Sequence, residues 1–234
     1  MTPRKTKASG LVKSTLAEQT YEVLKERILD QELEPGARLN IDAISKELSV
    51  SSSPIREALA RLEAERLVVL ELYSGYSVAP QPTPAYLHKL LDFRILVETS
   101  CARIGAKEHN EKTLTTMRTL LATMAKTNRL GTKYQEYRKF VQADAQFHMA
   151  IVDSACNEVI SEVYAGMHAI LLQSRLYLNR RGGPTSSQTV MSEHRTIMKA
   201  FEEGNGDRAA EAIRAHLEKG RERLLAAMSE DPAA

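Results

Sequence analysis

With 234 residues the chain has room for one large domain or two ordinary ones. Its 43% hydrophobic and 26% charged residues exclude disordered and collagen-like classes, and no apolar run approaches the ~18 residues that a bilayer span needs. A formal net charge of +2, with seven Lys/Arg against twelve Asp/Glu over residues 15–80, excludes bulk basicity as a basis for binding nucleic acid.

Residues 1–14 carry Arg4, Lys5, Lys7 and Lys13 with no apolar core after them. They read as a flexible basic tail rather than a secretory signal. Leu16, Thr20, Leu24 and Ile28 repeat every fourth residue and predict a helix over 15–31 with one apolar face. Pro35-Gly36 closes it. Ile41, Ile44 and Leu48 mark a short second helix, and Ile55, Ala58, Leu59 and Leu62 a third. The third opens on Ser51-Ser52-Ser53-Pro54, since serine caps free N–H groups and proline lacks one. Val68–Leu72 and Tyr76–Ala79 flank Tyr73-Ser74-Gly75 as a two-stranded wing. Three prolines in residues 80–84 then interrupt any helix or central strand. The predicted organisation is a winged helix-turn-helix over 15–80, a linker over 81–84 and a second domain over 85–229.

That second domain reads as all-helical, a bundle of about six helices. The first runs from near Ala85 to Glu108, with Leu90, Phe93, Val97, Cys101 and Ile104 on one face. Asn110 caps the second, which ends near Gly131. The third covers 133–154 and the fourth 157–179. Arg181-Gly182-Gly183-Pro184 breaks the pattern; a fifth spans 186–203, and Asp207 caps a sixth reaching about Met228. The fold class is mainly α. Cys101 and Cys156 lie in helical patterns without CxxC spacing and read as reduced thiols of a cytoplasmic protein.

Two short helices joined by a tight turn place the second in a DNA major groove. Ser51, Ser52 and Ser53 at its start suit phosphates or bases, and Arg56 one turn in suits a guanine or a phosphate. Arg38 is a second candidate contact, and the wing tip at Ser74-Gly75 suits the backbone or minor groove. Double-stranded operator DNA is therefore the expected partner, and two half-sites one turn apart call for a homodimer. Pro35-Gly36-x-Arg38-Leu39, Val50-Ser51-x-x-Pro54-Ile55-Arg56-Glu57-Ala58-Leu59 and Gly75-Tyr76-x-Val78 resemble, in order and spacing, the GntR family of bacterial regulators. Ser52 departs from that family, in which an arginine usually stands there and helps contact the operator.

Four polar residues interrupt apolar faces of the helical domain. Asp144 and His148, four apart, share a face with Val141, Phe147 and Ile151. His194 accompanies Val190, Ile197, Met198 and Phe201, and His216 accompanies Ile213, Leu217 and Leu224. A buried aspartate without a partner is costly. Imidazoles with a carboxylate suit a divalent transition metal such as zinc or nickel, and spacing alone leaves a hydrogen-bonded polar core equally open. "DAQFHMAIVDSACN" and "EHRTIMKAFEEGNGDRAAEAIRAHL" resemble the FCD-type effector domain of the FadR subfamily. That resemblance implies a metal at Asp144, His148, His194 and His216. Arg94 lies on an apolar face; it either pairs with Glu98 on the helix surface or clamps a small organic acid effector, and the resemblance favours the clamp. Arg175, Tyr177 and Asn179 are further candidates for the effector pocket, whereas His88, His109 and His168 fit no shared site.

The expected function is operator binding controlled by a carboxylate effector beside the metal. A metal sensor without an organic ligand shares every site. A metal-dependent hydrolase is the rival from another class, but no general base is evident near the four residues and the winged head is left unexplained.

Overall fold

A threonine starts the first helix: Thr15 Oγ1 accepts a hydrogen bond from the Glu18 N–H, and α1 runs over Leu16–Leu29. The computed structural model describes residues 15–127, 133–167 and 187–229. Thr20, Tyr21, Leu24 and Ile28 form the buried face of α1, while Leu16, expected among them, is exposed. Asn40 caps α2 (Ile41–Leu48), where only Ile44 is fully buried. Ile55, Ala58, Leu59 and Leu62 of α3 (Ser52–Ala64) are all buried, as their spacing predicts. A cluster of Tyr21, Lys25 and Glu65 fastens α3 to α1, with Lys25 Nζ 2.6 Å from Glu65 Oε2.

The wing is an antiparallel pair, β1 (Val68–Glu71) and β2 (Gly75–Val78), in register Val68↔Val78. The strands start or stop a residue away from the predicted bounds. A third segment, not anticipated, lies along β2. Leu39 N–H donates to the Tyr76 carbonyl at 2.8 Å, Val78 N–H to Ala37 at 2.9 Å, and Arg38 bridges Ser77. The chain entering α2 is thereby tied to the wing.

Beyond the prolines, Thr83 caps α4 (Pro84–Glu108) with a proline in its first turn, and Asn110 caps α5 (Glu111–Lys126). The helix expected to reach Gly131 stops at Lys126. α6 (Tyr134–Asp153), α7 (Glu158–Ala165), α8 (Ser187–Glu202) and α9 (Gly206–Ser229) complete the described domain. Asn205, not Asp207, supplies the side-chain cap of α9: its Oδ1 accepts from the Arg208 N–H at 3.0 Å, and Asp207 sits inside the first turn. Ile104 is half exposed rather than on the buried face of α4, because that face follows Arg94, Glu98, Cys101 and Gly105.

α9 lies along α4, and α6 packs on α4 and α5. Gly105 permits the close approach of α4 to the end of α6, since a Cβ there would fall 1.7 Å from Ser154 Oγ. Asp30, just past α1, accepts the N–H of Tyr134, the first residue of α6, at 2.8 Å. Arg138 reaches Glu22 at 3.2 Å beside it. α6, which carries Asp144 and His148, thus begins against the winged head. Among the described residues no helix is long and apolar enough to cross a membrane.

Candidate functional sites: a nucleic-acid interface and a buried histidine cluster

At the start of α3, Ser51 occupies the N-cap but its side chain makes no cap bond, contrary to expectation. Ser52 and Ser53 are exposed with it. The first N–H groups of a helix have no intrahelical acceptor and favour an anion such as phosphate. Arg56 is exposed and forms no ion pair among the described residues. Arg38 is differently placed: its Nε and Nη2 donate to the Ser74 carbonyl at 3.1 and 2.6 Å, fastening the wing turn. Gly75 follows at φ +79°, a conformation that favours glycine. Arg38, Asn40, Arg56, Leu70 and Ser74 line one cleft of about 490 Å³ between α3 and the wing.

In the helical domain, Asp144, His148, His194 and His216 are all buried and come together from α6, α8 and α9. One nitrogen from each histidine lies within 4.8 Å of those of the other two. His148 and His216 stack with ring centroids 5.2 Å apart, and Phe147, fully buried, presents an edge to His194 at 5.0 Å.

Each imidazole is oriented from behind. His148 Nδ1 lies 2.5 Å from Glu98 Oε2, His194 Nδ1 is 2.9 Å from the Val190 carbonyl, and His216 Nδ1 is 2.7 Å from Glu193 Oε2. These acceptors orient each ring and favour a hydrogen on Nδ1. Nε2 of His148 and of His194 is buried without a hydrogen bond. His194 Nε2 is 2.9 Å from Asp144 Oδ1, close but not aligned as a hydrogen bond, and His148 Nε2 is 3.8 Å from the same oxygen. Burial pushes the pKa of His148 down to about 4 and that of His216 to about 3, so both rings are neutral at pH 7.

The Nε2 lone pair of neutral His148, turned toward a buried carboxylate oxygen, is repelled by it unless a cation lies between them. These donors fit a divalent transition metal, which takes imidazole nitrogen and carboxylate oxygen.

A second tier of charge supports this group. Arg94 Nε is 2.6 Å from Glu98 Oε1, and the Tyr164 hydroxyl donates to the same oxygen at 2.6 Å. Burial alone would raise the Glu98 pKa, but Arg94 and His148 outweigh it and hold the carboxyl well below the usual range. Glu193 falls to about 2 because His216 and Arg223 overcome its desolvation. Arg223 lies 3.0 Å from it. Arg94 does pair with Glu98, yet in the interior rather than on the surface, and its Nη2 is buried without a partner.

Glu98, Tyr164, Glu193 and Arg223 were not anticipated as parts of this group. A signal exists for two of them. Glu98 stands on the inward stripe of α4 between Arg94 and Cys101, and Arg223 follows His216 by seven residues on one face of α9. Arg175, Tyr177 and Asn179 lie outside the described residues, as does His168.

Residues 16–78 match the family described as bacterial regulatory proteins, gntR family, and residues 89–219 match the FCD domain. The HTH-type transcriptional regulator LutR of Bacillus subtilis (strain 168) is 29% identical over 210 residues, covering 81% of this chain and 92% of LutR. The galactonate operon transcriptional repressor of Escherichia coli (strain K12) is 24% identical over 222 residues, covering 86% of this chain and 93% of the repressor. The solved structure of E. coli McbR/YncC is similar in fold, with a TM-score of 0.66 at 17% identity over 91% of this chain and 98% of that one.

Proposed function

The chain belongs to the gntR family of bacterial regulatory proteins and carries an FCD domain, and on that footing we propose that a divalent metal and a small carboxylate together govern its grip on DNA. It is a DNA-binding transcription regulator, and its relatives are regulators rather than enzymes. The hydrolase alternative is therefore set aside.

Asp144, His148, His194 and His216 would hold the metal, which supplies an electrophilic anchor for a carboxylate when bound. The observation that carries this reading is the matched set of three Nδ1 acceptors behind three buried histidines that each bring one nitrogen within 4.8 Å of the others. Arg94 offers the carboxylate a second contact through Nη2, the guanidinium nitrogen that Glu98 leaves buried and without a partner. On the DNA side, Ser51, Ser52, Ser53 and Arg56 meet the major groove, and Arg38 and Gly75 set the wing beside it. A homodimer would present two such heads to two half-sites. A ligand alters DNA affinity only through a difference in its affinity for the two head arrangements.

The test uses untagged full-length protein stripped with chelator and titrated with zinc or nickel. Thermal unfolding and gel shift on the DNA upstream of its own gene are then followed as organic acids are added. Hydroxy acids such as galactonate, for whose operon one relative is named, come first. Metal uptake followed by acid-dependent change in DNA binding is the expected result. No uptake on titration, and no metal by elemental analysis, overturns the metal site. Metal alone changing DNA affinity, with no acid acting further, points instead to metal sensing.

A further inference from the structure

The wing of this head is built without cations. From Leu67 to Pro80 the sole charged residue is Glu71, so phosphate attraction has no side chain to act through there. The tip instead displays Leu72 and Tyr73, 82% and 100% exposed. Large apolar side chains presented in full to water at the end of a turn contribute nothing to the fold. Tyr73 moreover has φ +67°, in the left-handed region where a bulky residue is rare, and strain of that kind gathers at functional positions.

The neighbouring residues hold this tip rigidly. Arg38 donates twice to the Ser74 carbonyl, its backbone bridges Ser77, and Leu39 N–H donates to Tyr76. Ser74 and Arg56 face the same cleft, so the tip stands on the DNA-reading side of the head beside α3. A turn that needed only to connect β1 to β2 has no use for a buttress of this kind.

We propose that Tyr73 is the DNA contact of the wing: it enters the minor groove beside the segment read by α3, and Arg38 is the residue that positions it. The ring and Leu72 pack against the deoxyribose walls. The phenol donates its O–H to an adenine N3 or thymine O2, the acceptors that A·T pairs expose there. The contact is neutral and so adds nothing to the salt dependence of binding.

The inference takes the DNA binding of the head as given, and the experiment reads that separately. The chain has no tryptophan, so Tyr73→Trp creates a single reporter in the full-length protein. The probe is a duplex selected from a random pool by the unaltered chain, and anisotropy of the labelled DNA reports binding. Acrylamide quenching of the indole should fall by roughly threefold or more at saturating duplex. Unchanged quenching with the duplex bound overturns the proposal.

Hydroxyl-radical footprinting decides the matter if the indole itself blocks binding. The unaltered chain should protect the minor groove flanking the major-groove site. Tyr73→Gly, whose backbone suits the positive φ, should lose that protection, bind about tenfold more weakly and keep the same salt slope. Identical footprints and affinities for the two proteins overturn the proposal.

Discussion

The winged head and the helical domain put polar chemistry to opposite uses. In the head, the residues of α3 proposed to meet DNA are exposed: Ser51 makes no cap bond, and Arg56 has no ion pair among the described residues. In the helical domain the proposed ligands are buried, and the imidazoles are backed by other groups. Glu98 stands behind His148, Glu193 behind His216, and Arg223 behind Glu193. An exposed site can therefore be altered with little effect on folding, whereas a buried one is part of the core. Removing a partner there leaves a charge or a lone pair with nothing to meet it.

The sharpest challenge to that contrast is Glu98→Ala. It strips a fully buried carboxylate from Arg94, Tyr164 and His148 together. Losing one partner of a buried ion pair costs about 3–5 kcal/mol, which lowers Tm by roughly 6–20 °C in a chain of this size. A urea melt within 1 kcal/mol of the unaltered protein would mean that Arg94 finds water or another carboxylate. Next in size is metal removal. If the ion binds only the folded chain, metal at about 1,000 times its Kd stabilises by ~4 kcal/mol. His194→Ala should abolish that increment while leaving the chain folded. An equal gain in His194→Ala would place the ion elsewhere.

The same contrast explains what the sequence made legible. The head could be read because its signal is local: turn residues, serines and an arginine fall at fixed offsets within 33–80, and a period of about four separates core from surface. The four inward polar residues were legible for the same reason, each interrupting an apolar stripe. Their supports were less so. Glu98 stands on the inward stripe of α4, but its i+4 spacing from Arg94 equally suits a surface pair, and the packing of α4 against α6 and α9 decides between the two. The Val190 carbonyl behind His194 leaves no trace in side-chain identity. Arg38 was legible as a cation near the DNA side, but its engagement with Ser74 depends on a strand-like pairing of 36–39 with β2 that no periodicity announces.

Arg56 and Arg38 probe the head at the next level of effect. Arg56→Ala should weaken DNA binding by about 1–3 kcal/mol and leave unfolding within ~0.5 kcal/mol. Relaxed specificity at one base pair identifies a guanine contact, and a salt slope smaller by about 1 identifies a phosphate. Arg38→Ala should weaken binding by roughly 1 kcal/mol with the slope unchanged, because its guanidinium is committed to Ser74 rather than to a phosphate. A drop of one in that slope would make Arg38 a direct phosphate contact.

Ser52→Arg has the smallest expected effect and tests whether an exposed site is free of folding consequences. Ser52 is the first residue of α3 and is exposed, and its family usually has arginine there. A guanidinium at that place adds one phosphate contact, so DNA affinity should rise by about 0.5–1 kcal/mol at low salt and the salt slope should steepen by ~0.9. The same charge sits at the positive end of the helix dipole, which should lower stability by roughly 0.3–1 kcal/mol in the absence of DNA. The two effects oppose each other on one side chain and are separable by measuring anisotropy and urea melts on the same preparation. Tighter binding with no loss of stability would mean that the dipole is screened at this surface, and the contrast between head and helical domain would then be complete. Tighter binding with weaker folding would show that even an exposed residue at the start of α3 is coupled to the helix that presents it.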